Sequence, residues 1–407
     1  MPKFIPFCGI RYSSNIDLNQ VIAPPYDVVD KEERSKLASR HRGNAIKIEL
    51  PDRSESDLTG ATDNYSYAKL LLDSWIDDGI LIEDIKPCFY IYKMTFQSEF
   101  PIANHREIST LGVLGALKIE EPGTGDVLPH ENTIKKAKTD RLDLLRATRT
   151  NISPIWGLSL SNRLTDLLDK TTPPTATATD DDGVLHELWA ISEDALINQI
   201  SNLVDSASIL IADGHHRYET SWNYRNEIRN ENGNQPGDQD FVLAYIVELN
   251  SEQIHLHAIH RLLNTSHSIP DLLDLLNPNY EIHKYEGLEE DLLEKMRLNG
   301  ENAFFTTEGI WLIKAKPTLI SMSKSDLETK WLETALNQIT DLEVTFQHGF
   351  DYVMNQVING KAKAAILLNP VSIEQIKASS EARFRMPPKS TFFTPKPRTG
   401  MVFRRLK

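Results

Sequence analysis

The run Ile209-Leu210-Ile211-Ala212, followed at once by Asp213-Gly214, constrains this chain more than any other stretch. Four consecutive apolar residues without alternation suit a short strand covered on both faces of a sheet. Asp-Gly is a turn dipeptide. From His215 to Ile228 the pattern is helical, with Tyr218 and Trp222 one turn apart on the same side. A strand, a Gly turn and a helix opening on polar groups make an anion site, because backbone N–H groups and the positive end of the helix dipole face whatever docks there. Arg217 would stand in the first turn as a fork-shaped donor for phosphate or carboxylate. Such junctions are also common scaffolding, and adjacent histidines can be solvated turn residues. Here Asp213, Gly214, His215, His216 and Arg217 crowd the mouth of a buried strand, where open sheets place ligands. The stretch therefore reads as a phosphate site.

Composition narrows the class. With 407 residues, 40% of them hydrophobic, the chain can build large cores and two or three domains. A formal net charge of −14 argues against general nucleic-acid binding, which needs a basic face. Cys8 and Cys88 are the only cysteines, so neither a disulfide framework nor a CxxC metal site is expected. The opening residues lack a basic region followed by a long apolar segment, so no signal peptide is expected. No apolar run approaches the roughly 18 residues of a membrane span. An acidic, soluble, cytoplasmic protein with no membrane partner is the expectation.

Taken in order, the chain alternates strands and helices, which is an α/β pattern. Residues 1–110 form an N-terminal α/β region. Within it Val21-Ile-Ala-Pro-Pro-Tyr-Asp-Val-Val29 holds Tyr26 and Asp27 on a stiff extended loop, either a rigid connector or a ligand-contacting segment. Ala45 to Leu50 alternates like a half-buried strand. Residues 111–264 carry strands at 111–119, 152–160, 185–191 and 241–249, helices at 139–148 and 193–203, and the 209–228 stretch. Leu128-Pro129-His130-Glu131 follows a Gly/Pro turn, a loop placement; from spacing alone, Glu131 beside His130 is an exposed pair or a general base with its neighbour. Residues 161–183, ending Asp180-Asp181-Asp182-Gly183, read as a polar surface excursion. His255 and His257 would share one strand face, a spacing that can bind metal, but no acidic or thiol partner stands near them in sequence. Residues 265–407 continue the alternation and end in a tail, 383–400, with four prolines and five basic residues. Lys389, Ser390, Thr391 and Lys396 lie in it. The tail is either a terminal strand laid over the fold or a cationic segment folded back on an anionic ligand.

Three segments together resemble a known family. Val21 to Val29, Ile211-Ala-Asp-Gly-His-His-Arg-Tyr218 and Met386-Pro-Pro-Lys-Ser-Thr-Phe-Phe-Thr-Pro-Lys396 resemble domain-of-unknown-function family 1015, and the resemblance covers essentially the whole chain. The middle segment also resembles the ParB/sulfiredoxin fold and, within it, the free serine kinases. Those enzymes hold nucleotide phosphate on an Asp-Gly-His-His-Arg turn and carry an upstream Pro-His-Glu whose glutamate is the proposed base. Asp213 to Arg217 match the first motif and Pro129-His130-Glu131 the second, with about 80 residues between them.

The resemblance implies an α/β (α+β) protein with a ParB/sulfiredoxin-like core at 111–264, an N-terminal extension and a C-terminal α/β region. It implies phosphoryl transfer on free serine or O-phosphoserine with ADP or ATP as donor. Gly214, His215 and Arg217 would hold phosphate, and Glu131 would be the base. Asp213 would hold Mg²⁺ or orient a histidine, and His216 or His130 would meet the leaving oxygen. Tyr26, Asp27, Lys389, Ser390, Thr391 and Lys396 would contact substrate. Two other readings stay open: a non-catalytic ParB-like nucleotide-binding module, regulatory or DNA-associated, and a metal hydrolase built on His130, His215 and His216.

Overall fold

In the computed structural model, the described residues are all but 56–59, 103–104, 130–137, 170–171, 251–252, 289–290, 384–385 and 388. The chain divides into two compact units, one of residues 1–254 with 395–407, the other of residues 255–394. Each is a mixed α/β assembly.

The first unit is built on a nine-stranded sheet. Its strands in chain order are β1 (Phe4–Ile5), β2 (Phe89–Ile102), β3 (His105–Lys118), β4 (Val127–Pro129), β5 (Ile155–Ser159), β6 (Ala176–Thr179), β7 (Leu185–Ile191), β8 (Ile209–Asp213) and β9 (Phe241–Glu248). They lie in the order β4-β8-β5-β9-β3-β2-β7-β6, with β1 pairing β3. The pairs β8–β4 and β9–β5 are parallel and the rest antiparallel. The long β2–β3 hairpin therefore joins residues 1–110 and those beyond into one sheet, and residue 110 itself lies inside β3.

Strand β8 is buried from Ile209 to Ala212, as its unbroken apolar run requires. One core lies where Leu164, Leu168, Ile200, Val204, Tyr218 and Trp222 cover the sheet from helices α5 (Leu164–Leu168), α6 (Asp194–Asp205) and α7 (His215–Glu231). A second core gathers α1 (Lys31–Arg40), α2 (Ile46–Glu49), α3 (Asn64–Asp77) and α4 (Lys138–Thr148) around Trp75, Leu72, Ile48 and Phe403. The tail from Pro395 onward is laid over this unit, with bridges Ala23–Thr399 and Ile10–Phe403 and the pairing of Arg404 with Asn151.

Two expectations need correction. Ala45 to Leu50 is not a strand but contains the single-turn helix α2. Asn44 Oδ1 accepts from the Ile46 N–H and its amide donates to Gln20 O, fixing a turn at the start, and Ile46, Ile48 and Glu49 are all buried, so the alternation marks no solvent face. The 161–183 excursion is not all surface either. Leu164 and Leu168 enter the core, β6 edges the sheet, and Asp180 is buried.

The second unit is a six-stranded antiparallel sheet in the order 280–285, 309–315, 302–306, 364–367, 259–265, 342–348. Separate cores lie around Leu272 and Leu332 and around Met296 and Val353. The helix Pro317–Ser323 and the strand Leu342–His348 went unread in the sequence. His255–His257 pairs with Phe392–Thr394.

Candidate functional site

The junction after β8 is shaped by a bulge and a glycine. The pairing of β8 with β5 slips between Ile211 and Asp213, which turns Asp213 toward the end of the sheet. Gly214 follows at φ +86, in the left-handed region, and a Cβ there would stand 3.0 Å from Arg217 Nε and 3.1 Å from Ile155 Cα. Helix α7 then starts at His215 and runs 17 residues with no side chain from its N-cap position closing its first turn. The strand–turn–helix reading of this stretch holds.

Charge converges on that turn. Asp213 Oδ1 accepts from Lys396 Nζ at 2.8 Å and its Oδ2 from Arg217 Nη2 at 2.6 Å. Lys396 also donates to Asp27 Oδ2 at 2.7 Å. Asp27 lies in the turn of 3₁₀ helix Tyr26–Val28 that follows Pro24-Pro25. The Arg141 guanidinium sits over the Tyr26 ring, 4.5 Å from its centre. Arg141 donates to Glu49 O at 2.7 Å and pairs with Asp140, while Glu49 Oε1 accepts from Ser153 Oγ at 3.0 Å.

Burial sets the electrostatics. Desolvation alone would raise the Asp213 carboxyl, but Lys396 and Arg217 override it and hold the group well below the usual carboxylate range. Desolvation opposes the Lys396 ammonium, yet Asp213 and Asp27 push it up to about 12. The Tyr26 phenol is raised to about 12 by burial, against a smaller opposing pull from Arg217.

Structure and sequence part company over Arg217 and Asp213. The Arg217 fork is occupied by protein: Nη2 by Asp213 and Nη1 by Pro154 O. Its Nε and the Thr220 hydroxyl, one turn on, are buried without a hydrogen-bond partner among the described residues and line a cavity of about 50 Å³. That is room for a water or two. Asp213 does not fit a Mg²⁺ ligand, since both oxygens face cations, and no group of three or more His, Cys, Asp or Glu among the described residues is placed to hold a metal.

Of the other residues named from sequence, His215 and His216 open α7 and are half-buried, and the charge of His215 helps to lower Asp213. His130 and Glu131 lie outside the described residues. Lys389, Ser390 and Thr391 belong to the second unit, where Ser390 Oγ donates to Pro387 O at 2.7 Å and Lys389 O accepts from Arg261. Tyr26, Asp27, Asp213, Gly214, Arg217 and Lys396 all stand in the first unit. Glu49, Arg141 and Ser153 were missed. Nothing in their local spacing marks them, because each is an ordinary residue of a short helix, an amphipathic helix or a loop.

A family model described as a protein of unknown function, DUF1015, matches residues 4–344. The chain belongs to that family. No curated protein matches it in sequence. Among solved structures it is similar to a conserved hypothetical protein from Pyrococcus furiosus, with 13% identity, a TM-score of 0.36 and coverage of 66% of this chain and 87% of that one. It is similar also to a free serine kinase in complex with AMP (13%, 0.37, 66% and 84%) and to SbnI with a C-terminal truncation from Staphylococcus aureus (9%, 0.38, 70% and 84%). Likeness at this level assigns no role to any residue. Among the described residues no helix is long and apolar enough to cross a membrane.

Proposed function

We propose that this protein is a phosphoryl-transfer enzyme acting on free L-serine or O-phospho-L-serine, with the phosphate taken at the turn between β8 and α7. The observation that carries the reading is one junction. A doubly buried strand ends in a bulge, a left-handed Gly214 follows, and a 17-residue helix opens without a side-chain cap from its N-cap residue beside Lys396. The dipole of such a helix favours negative charge at its start. Lys396 brings a buried ammonium to that turn, where it donates to Asp27 and Asp213.

In this reading the backbone at Gly214 to His216 and the Lys396 ammonium neutralise phosphate oxygens. Arg217 acts mainly by fixing Asp213, which in turn aims Lys396. With ADP as donor, the serine oxygen forms a bond to the β-phosphorus as the bridge to the α-phosphate breaks. AMP leaves and the hydroxyl proton passes to Glu131, the base that the Pro-His-Glu resemblance implies. With phosphoserine alone, Glu131 would activate water instead. His216 or His130 would protonate the leaving oxygen.

The test is incubation with serine plus ADP or ATP, and separately with O-phosphoserine, following AMP and inorganic phosphate. Glu131→Gln should lower turnover about 10²-fold while leaving phosphate-ligand binding nearly intact. Full activity in that variant would remove Glu131 from the mechanism. A wild type inert on both substrates that still binds nucleotide tightly would establish the non-catalytic module in its place.

A further inference from the structure

Three consecutive aspartates, Asp180, Asp181 and Asp182, look in sequence like a solvated turn, yet each is gripped by a cation from a distant segment. Arg398 Nε donates to Asp180 Oδ2 at 2.6 Å and its Nη2 to Asp182 Oδ2 at 2.5 Å. Asp181 pairs with Arg40 and, at 3.3 Å, with Lys36. The first grip holds the tail two residues beyond Lys396. The second holds helix α1, which starts four residues beyond Asp27. Both partners of the Lys396–Asp27 pair thus come from segments tied to one turn.

Asp180 is fixed from several sides. Its Oδ1 accepts the backbone N–H groups of Asp182 and Val184 at 2.9 and 3.0 Å. Its Oδ2 also meets His186 Nε2 at 2.8 Å. Tyr92 OH lies 2.8 Å from His186 Nδ1 and accepts from the Arg398 N–H at 3.2 Å. One set of protons satisfies the whole chain: Arg398 N–H to Tyr92, Tyr92 O–H to Nδ1, Nε2–H to Asp180. The tail is therefore held by backbone and side chain together, with Arg398 and Asp180 both under 10% exposed. A two-point guanidinium contact restricts orientation as well as position.

We infer that the acidic turn Asp180–Asp182 is a clamp that sets the place of Lys396, with Arg398 as the positioning residue. Lys396 sits on an extended, proline-flanked segment with no helix or sheet of its own to aim it, and the clamp supplies that aim. The bearing on phosphate rests on the function proposed above; the placing of Lys396 does not.

Two measurements on the full chain separate these claims. The first is the rate at which acetic anhydride acylates Lys396, read by mass spectrometry against the exposed Lys3. Arg398→Gln should raise it at least tenfold, and Arg398→Lys should recover part of the protection. Asp180→Asn keeps the turn's acceptor oxygen but loses the charge, and should act in the same direction. Asp182→Asn, at a carboxylate 74% exposed, should give a smaller rise. An unchanged Lys396 rate in Asp182→Asn and in Arg398→Gln would overturn the clamp. The second is inorganic phosphate affinity in a double-mutant cycle. Arg398→Gln should weaken phosphate binding several-fold in the wild type and not at all in a Lys396→Met background; equal losses in both would overturn the positioning role. Failure of the wild type to bind phosphate would defeat the proposed function alone, with the acylation rates still deciding the clamp.

Discussion

The Asp213 cluster of the first unit and the His255 and His260 rings of the second are buried by opposite means. The first keeps charges and pairs them: Asp213 with Lys396 and Arg217, Asp180 with Arg398, Arg141 with Asp140. The second, which also buries Arg261, holds two histidines without charge. His255 and His260 are buried and held neutral, each with its pKa lowered to about 4, first by desolvation and then by neighbouring cationic groups. His260 Nδ1 accepts from the Leu368 N–H at 3.1 Å, a bond that a protonated ring could not accept. A site that must receive an anion needs cations already desolvated and held by weaker internal rivals, which the first arrangement provides. The second is a scaffold that tolerates titratable rings only while they stay uncharged.

The sharpest way to break the comparison is to remove the shared carboxylate of the first unit. Asp213→Ala leaves Lys396 and Arg217 buried without the carboxylate they share, and should cost about 3–5 kcal/mol in urea unfolding. A loss under about 1 kcal/mol would mean that solvent screens this cluster and that the units do not differ. Acid should separate the units next. In the second, each histidine has a folded pKa below its unfolded value near 6.5, so stability is intact above that value and falls as the pH drops toward 4. The loss should be on the order of 2 kcal/mol per ring. For Asp180 the folded value is lowered to about 2, burial opposing but His186 and Arg398 prevailing, so its contribution is intact above about 4 and lost only below that. Hydrogen exchange at pH 5 should therefore quicken in the strand 259–265 while β8 stays protected. Simultaneous loss would contradict the assignment.

Two smaller effects sharpen the picture of the site. Gly214→Ala must hold a left-handed backbone and push against Ile155 Cα, at about 1–2 kcal/mol by thermal unfolding, and should also weaken phosphate binding. Of the two carboxylates paired with Lys396, Asp27 is the more exposed, at 29% against 19% for Asp213. Asp27→Asn should change stability by under about 1 kcal/mol yet raise phosphate affinity several-fold, because it removes the internal rival for the ammonium. Weaker binding instead would make Asp27 a substrate contact.

Much of this was legible in residue order because the relevant signals are local. Ile209 to Ala212 with Asp213-Gly214 spells strand and turn in six residues, and the helices at 64–77 and 194–205 carry their own period. What sequence left open was partnership. Arg217 was read as a fork aimed outward, but the same helical spacing that brings it to the turn sets it four residues from Asp213, within pairing reach. Glu49 was hidden in a false alternation. The triple aspartate looked like any solvated turn, since its partners Arg40 and Arg398 are, respectively, about 140 and 220 residues away. Lys396 was visible as a basic residue in a stiff tail, but whether the tail met the site or trailed over the fold turned on contacts 183 and 369 residues distant.

That separation has a consequence for how the site comes into being. Synthesis delivers residues 1–254 first, then the whole of the second unit, and only afterwards the segment bearing Lys396. During that interval Asp27 and Asp213 are present without their shared ammonium, and closing such long loops is slow. The proposed anion site should therefore be the last part of the first unit to mature, appearing on the ribosome only after residues 395–407 have cleared the exit tunnel.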